Sequence, residues 1–340
     1  MTSLSGTRTA PDLEAPRPPV DLAAYVGDRH AEDPVESYVS TGAAIREHLE
    51  RLLPQGFDLE GKTVLDFGCG SGRVLRHFLG EARAGAARFF GSDIDEPSVR
   101  WLREHLSPPF EVALTGEEPP LPFESGSFDL IWTTSVFTHL TDHWAGWLLE
   151  LHRVLAPGGI LIATIMSSAY NDTVTDVPWD EDRVGMKVLG YGAPWHAGGP
   201  MVLHSEWWLR AHWGRAFEIL HFQPGGFGSP ATGPSQGVAV MRRREVALTV
   251  SDLEALEPEE PREVAALIDA LRSTQRERAH LNAEHDRYCI AYQEGSKQLW
   301  ALDREVRELR ALAWRRRSRV AGTALRLRAG LRRRLGPRAR

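Results

Sequence analysis

A chain of 340 residues with 42% hydrophobic content can bury one large core and still carry a separate appendage. Its net charge of −6 hides an asymmetry: residues 1–312 hold 29 of the 40 basic residues and all 46 acidic ones, net −17, whereas residues 313–340 hold eleven arginines and no acid. So acidic a body disfavours nucleic acid as a partner of the core, and no apolar run approaches the roughly 18 residues that a membrane-spanning helix needs.

In chain order, residues 1–20 are polar, interrupted by Pro11, Pro16, Pro18 and Pro19, and lack a signal-peptide core, so they are expected to be disordered. The most informative stretch is residues 64–72, Val-Leu-Asp-Phe-Gly-Cys-Gly-Ser-Gly. An apolar strand runs through Asp66 into Gly68, Gly70 and Gly72, which let the backbone turn tightly and approach a ligand closely. Arg73 to Leu79 are expected to start a helix whose N-terminus faces the same point. The dinucleotide fingerprint wants a small residue at position 73, where this chain has arginine, so a pyrophosphate is poorly served. A second strand over 88–92 ends at Asp93, about twenty residues past the glycines, placed to accept two ribose hydroxyls. Short strands follow at 110–114 and 128–134, separated by Gly116-Glu117 and by Leu121-Pro122-Phe123-Glu124-Ser125-Gly126. Asp142 is expected to cap a helix that runs to about Val154, where Pro157-Gly158-Gly159 stops it before a fifth strand at 160–165.

Taken together, these motifs resemble the class I S-adenosylmethionine (SAM) dependent methyltransferase family, over roughly residues 40–243. The resemblance implies an α/β fold, a Rossmann-like seven-stranded doubly wound sheet, with SAM as cofactor. It implies that Asp66 with Gly68, Cys69, Gly70 and Gly72 holds the methionine end, that Asp93 takes the ribose, with Asp95 as a lesser candidate, and that Ile94 packs on the adenine. Glu117, six residues before Phe123, takes the adenine amino group, in a place where the family more often has Asp. Ser135, at the end of the fourth strand, completes the cofactor-binding set. No Asn-Pro-Pro-Tyr type motif follows that strand; Thr133-Thr134-Ser135-Val136 stands there instead, which argues against methylation of a base amine.

Methyl transfer to a hydroxyl needs alignment and a base. His139 is the first candidate, because it follows the fourth strand and can titrate near neutrality; His143, His196 and His204 stand in reserve. The histidines lack metal-ligand spacing, so no metal is expected. Residues 166–203 are too long for a plain connection, and Trp179, Tyr191, Trp195 and His196 suit the faces and hydroxyls of a sugar-like small molecule; a hydrophobic lid is the other reading. Ser205 caps the next helix, and strands at 216–222 and 236–242 complete the sheet.

The methyltransferase domain is therefore expected over 21–245 and a Pro-rich linker over 246–261. Residues 262–312 carry a heptad register, with a at Val264, Leu271, Arg278, His285, Tyr292, Leu299, Val306 and Ala313 and d at Leu267, Thr274, Leu281, Tyr288, Gly295, Leu302 and Leu309. They are read as a coiled-coil-like helix that forms a homo-oligomer through 264–313, or else as a single solvated helix that packs back on the body. The Arg-rich amphipathic tail, 313–340, suits an anionic membrane surface, with RNA as the competing partner. The two cysteines sit in a glycine loop and in this helical region, which argues against a structural disulfide and for a cytoplasmic setting, peripheral on the inner face of the membrane if the tail binds lipid. The expected activity is O-methylation of a sugar or other hydroxylated small molecule, as in cell-surface polysaccharide or glycoconjugate synthesis. The alternatives are a natural-product acceptor such as a polyketide or aminoglycoside, and a non-catalytic coiled-coil scaffold with a ligand-binding body.

Overall fold

The computed structural model describes residues 15–26, 31–194, 198–228 and 235–334. It divides into two compact units, Met1–Arg272 and Ser273–Arg340.

Within the first unit the strands are β1 (Thr63–Phe67), β2 (Arg88–Asp93), β3 (Glu111–Leu114), β4 (Phe128–Thr133), β5 (Leu155–Ile165), β6 (Met186–Leu189), β7 (Met201–His204), β8 (Phe217–Phe227) and β9 (Gln236–Arg243). Seven of them make one sheet in the order β3-β2-β1-β4-β5-β9-β8, while β6 and β7 form a separate antiparallel hairpin. Strands β3 through β5 run parallel, and β9 is inserted antiparallel between β5 and β8. The central strands are apolar on both faces because both faces are covered. Leu65, Phe67, Ile131, Leu161 and Ala163 point to one core, against α5 (Trp144–Val154), α7 (Glu206–Ala216) and α8 (Val250–Glu254). Their neighbours Val64, Leu130, Trp132, Ile160 and Ile162 point to the other, against α2 (Pro34–Leu52), α3 (Leu79–Ala84) and α4 (Glu96–His105). Each of the fully buried Val, Leu and Ile side chains among them contributes about 1.5–3 kcal/mol of transfer free energy. This is the expected doubly wound sheet.

Three local expectations need correction. No regular helix begins at Arg73: a 3₁₀ turn, Leu75–Phe78, leads into α3. Its four residues are all buried, and α2 presses directly on this stretch, since a Cβ on Gly42 would lie 2.0 Å from the Arg73 carbonyl oxygen. Asp142 does not cap α5; the cap position is His143, without a side-chain bond, and Asp142 instead accepts the Tyr191 hydroxyl at 2.6 Å. The stretch expected as a linker, 246–261, contains α8, which has a Thr249–Asp252 capping box and a fully buried Leu253.

At the N-terminal side, residues 15–20 are not structureless. Arg76 donates to the Ala15 and Pro16 carbonyls at 2.8 and 2.6 Å, and α1 (Val20–Val26) follows; residues 1–14 lie outside the described part. A short helix, α6 (Ser168–Val174), follows β5. Ser205 caps α7 as expected, accepting from the Trp208 N–H at 3.4 Å. The second unit continues α9 (Arg262–Arg334), one unbroken helix of 73 residues through the heptad segment. Among the described residues no helix is long and apolar enough to cross a membrane.

Candidate active site

The C-terminal ends of β1, β2 and β4 meet at the glycine loop, where open α/β sheets bind ligands. Asp66 lies in register with Gly91 of β2 and Trp132 of β4. Its side chain is 1% exposed and its Oδ2 has no hydrogen-bond partner. Burial pushes its carboxyl up to about 7, partly opposed by the Trp132 indole and the Arg73 guanidinium. The indole Nε1 also lacks a partner in hydrogen-bond geometry, so its influence is that of a nearby dipole.

Gly68, Gly70 and Gly72 all take the left-handed conformation, at φ 84°, 53° and 82°. At Gly68 the requirement is doubled, because a Cβ there would sit 2.3 Å from Cγ2 of Val136, in the segment that follows β4. The loop is tied to β2 by bonds from the Gly68 and Cys69 amides to the Ser92 carbonyl, 2.8 and 3.1 Å. Cys69 contributes its backbone: the thiol is buried against Gly91, and burial raises its pKa well above the ordinary value.

Asp93 accepts from the Gly70 amide on one oxygen, 2.6 Å, and from the Asp95 amide on the other, 2.8 Å. Burial raises its pKa and these two amides pull it back. Each carboxylate oxygen keeps a second lone pair, the number that two vicinal hydroxyls would use. Asp95 is committed elsewhere, accepting from Ser98 N at 3.0 Å as the cap of α4. Ile94, beside the carboxylate, is 53% exposed, an apolar surface suited to the face of a purine. Glu117 is exposed, and its carbonyl is fixed by the Trp147 indole at 3.0 Å.

After β4, Ser135 stands at φ 62°, a left-handed conformation that costs a non-glycine residue about 1–2 kcal/mol. Its amide donates to Thr164 Oγ1 of β5 at 2.7 Å, and its hydroxyl accepts from the Gln236 amide of β9 at 2.8 Å. His139, next on the loop, bonds through Nδ1 to the Pro200 carbonyl at 2.7 Å. A carbonyl only accepts, so Nδ1 carries the proton and Nε2 is the basic nitrogen. Burial lowers the His139 pKa, and the Pro200 contact partly offsets that.

Of the reserves, His143 is exposed, 3.9 Å from Glu118. His204 is fully buried between Trp208 and Trp213, and burial lowers its pKa to about 3, so it is a packing residue. His196 and Trp195 lie outside the described residues. In the insert, Trp179 bonds Glu181 at 2.6 Å and Tyr191 bonds Asp142, so their polar tips are already engaged. Among the described residues no group of three His, Cys, Asp or Glu is placed to hold a metal.

Sequence reasoning missed three contributors. Tyr38 of α2, fully buried, meets Ser71 of the glycine loop at 2.9 Å and braces it from behind. Thr164 and Gln236 hold Ser135 from two other strands. No local pattern marks them, because each acts across a long sequence separation.

The fit to SAM rests on this geometry: a buried carboxyl whose Oδ2 awaits a donor, a carboxylate with two acceptor positions, and an exposed apolar side chain beside it. Residues 65–163 match the family described as Methyltransferase domain. This segment is similar to methyltransferase domains. The phthiotriol/phenolphthiotriol dimycocerosates methyltransferase 1 of Mycobacterium ulcerans (strain Agy99) is 29% identical to the chain over 168 residues, 49% of this chain and 55% of that protein. The tRNA U34 carboxymethyltransferase of Cellvibrio japonicus (strain Ueda107) is 34% identical over 148 residues, 40% of this chain and 42% of that protein. The chain thus spans about half the length of these curated relatives. A solved S-adenosylmethionine dependent methyltransferase from Mesorhizobium loti aligns with 60% of this chain and all of its own length, at 20% identity and a TM-score of 0.43. The sheet order β3-β2-β1-β4-β5-β9-β8 is read from this chain alone.

Proposed function

We propose that the chain transfers the methyl group of SAM to a hydroxyl oxygen of a small molecule of the sugar or polyol class, with His139 as general base. The observation that carries this reading is the tautomer of His139: the Pro200 carbonyl fixes the proton on Nδ1 and leaves a basic Nε2 on the loop after β4. In this reading Asp66 and the Gly68–Gly72 loop hold the methionine end, Asp93 the ribose, and Ile94 and Glu117 the adenine. The bound cofactor supplies a methyl group on a positively charged sulfur. The chain's task is then to position the acceptor and take its proton at Nε2, while Ser135, expected from the sequence to bind the cofactor, is assigned in this reading with Gln236 to offer a hydroxyl and an amide to a polyhydroxylated acceptor. An acidic body disfavours RNA as that acceptor, although one curated relative is named for tRNA. Another, named for phthiotriol, makes polyols a sensible first panel.

The test is release of S-adenosylhomocysteine in the presence of sugars, glycosides and polyols. His139→Ala should lower turnover about 10²-fold or more while affinity for S-adenosylhomocysteine stays within a few fold. Because burial lowers the imidazole pKa, the wild-type rate should rise with pH through a midpoint below about 6.5 and then level off. An unchanged rate in the variant, or transfer only to amine or thiol acceptors, would defeat the proposal.

A further inference from the structure

We infer that α9 pairs with α9 of a second copy of the chain in antiparallel orientation, which directs the arginine-rich C-terminal end of each α9 toward the acidic body of the other. The first observation is exposure along one seam. In the helical unit beyond Arg272, heptad residues that would be core in a paired helix face solvent: Leu281 is 56% exposed, Leu299 67%, Tyr288 81% and Tyr292 77%. A stripe with this 3.5-residue period, sustained over some forty residues, is matched by a helix of equal length and equal period, and a second copy supplies one.

Self-complementarity then fixes the direction. A parallel, in-register pair would set Arg278 against Arg278 and His285 against His285 of the other copy, and would leave a hole where Gly295 faces itself. Reversing one helix about residue 290 removes all three faults. Leu281 then lies opposite Leu299, Tyr288 opposite Tyr292, and the bulky His285 opposite Gly295, the seam position without a side chain.

Charge gives the same answer independently. Residues 1–261 carry 20 basic and 37 acidic residues, net −17; residues 262–312 carry nine of each; residues 313–340 carry eleven arginines and no acid. The paired segment is therefore neutral and offers no bar to self-association. In a parallel pair the two basic tails lie side by side, as do the two acidic bodies. In the antiparallel pair the arginine-rich end of each α9 continues past the seam toward the other copy's acidic body, an attraction of opposite charge.

Full-length protein should be a dimer by sedimentation equilibrium. Cys289 reads the direction, because position 289 lies on the same side as its counterpart in the antiparallel pair and on opposite sides in the parallel one. A short bismaleimide should give a covalent dimer that Cys289→Ser abolishes; the other cysteine, Cys69, is buried. Leu281→Arg with Leu299→Arg should weaken the dimer about 100-fold or more while affinity for S-adenosylhomocysteine, the check on folding of the body, is kept. Raising salt from 0.1 to 1 M shortens the screening length from about 10 to about 3 Å and should weaken the dimer at least tenfold. A chain that stays monomeric at tens of micromolar overturns the proposal, as does a dimer that resists both the cross-linker and salt. A monomer that instead sediments with vesicles containing anionic lipid assigns the arginines to a membrane surface and overturns it equally.

Discussion

The sharpest test of how the glycine loop is built is Gly68→Ala, alone and combined with Val136→Ala. Two separate costs meet at this position. The backbone stands at φ 84°, where an L side chain costs about 1–2 kcal/mol. An added Cβ would also lie 2.3 Å from Cγ2 of Val136, a β-branched side chain with little rotamer freedom, and such overpacking costs about 1–3 kcal/mol. Gly68→Ala should therefore destabilise the body by about 2–5 kcal/mol. Val136→Ala, which trims methyl groups from a half-buried side chain, should cost about 1 kcal/mol. In the double variant only the steric part is recovered, so urea unfolding should give a coupling energy of about 1–3 kcal/mol in favour of the pair. Affinity for S-adenosylhomocysteine, measured by calorimetry, should recover in parallel. Strict additivity of the two substitutions, within about 0.5 kcal/mol, would mean that the loop after β4 does not press on Gly68 and that the assembly of the site described above is wrong.

Three further outcomes follow from the same geometry. Asp93→Ala removes the acceptor for two hydroxyls and should weaken S-adenosylhomocysteine binding by about 1–3 kcal/mol; full retention of affinity would exclude Asp93 as the ribose ligand. His204 has a folded pKa of about 3 against about 6.5 when unfolded, so between those values the unfolded chain binds a proton that the folded one does not. Stability should fall as pH drops through that window, by up to about 1.4 kcal/mol per pH unit, and His204→Leu should remove that slope; an identical acid profile in the variant refutes it. At Ser135 the order of two substitutions is diagnostic: Ser135→Ala keeps the left-handed strain while losing the Gln236 bond, whereas Ser135→Gly loses both, so Gly should be the more stable variant by about 1 kcal/mol. Thermal unfolding showing Ala above Gly would place position 135 in an ordinary conformation.

Much of the fold was legible because its central strands are buried on both faces. Runs such as Leu130 to Trp132 and Ile160 to Ala163 stay apolar at consecutive positions, and few other environments demand that. The glycine loop and Asp93 were legible for a related reason: a left-handed backbone and an acid at a strand end are requirements of single residues, visible one position at a time. Side-chain commitments were not. Asp142 reads as a helix cap until Tyr191, 49 residues away, takes its carboxylate, and Asp95 reads as a ribose ligand until it is seen capping α4. Tyr38 and Gln236 show the limit most clearly, since they reach the site across 33 and 101 residues of chain and carry no periodic or motif signal.

Ser135 shows why those distant contacts matter to chemistry. A non-glycine residue at φ 62° persists only where its surroundings over-determine it. Here Thr164 on β5 holds its amide and Gln236 on β9 holds its hydroxyl, two bonds worth about 0.5–1.5 kcal/mol each against a strain of similar size. Three strands that are remote in sequence thus converge on one position at the C-terminal edge of the sheet, directly before the loop that carries His139. The aromatic insert, by contrast, has its described polar tips satisfied by carboxylates, Glu181 within it and Asp142 before α5. The polar groups best placed to sort one hydroxylated acceptor from another are therefore those around Ser135, and specificity should change there before it changes at Trp179 or Tyr191.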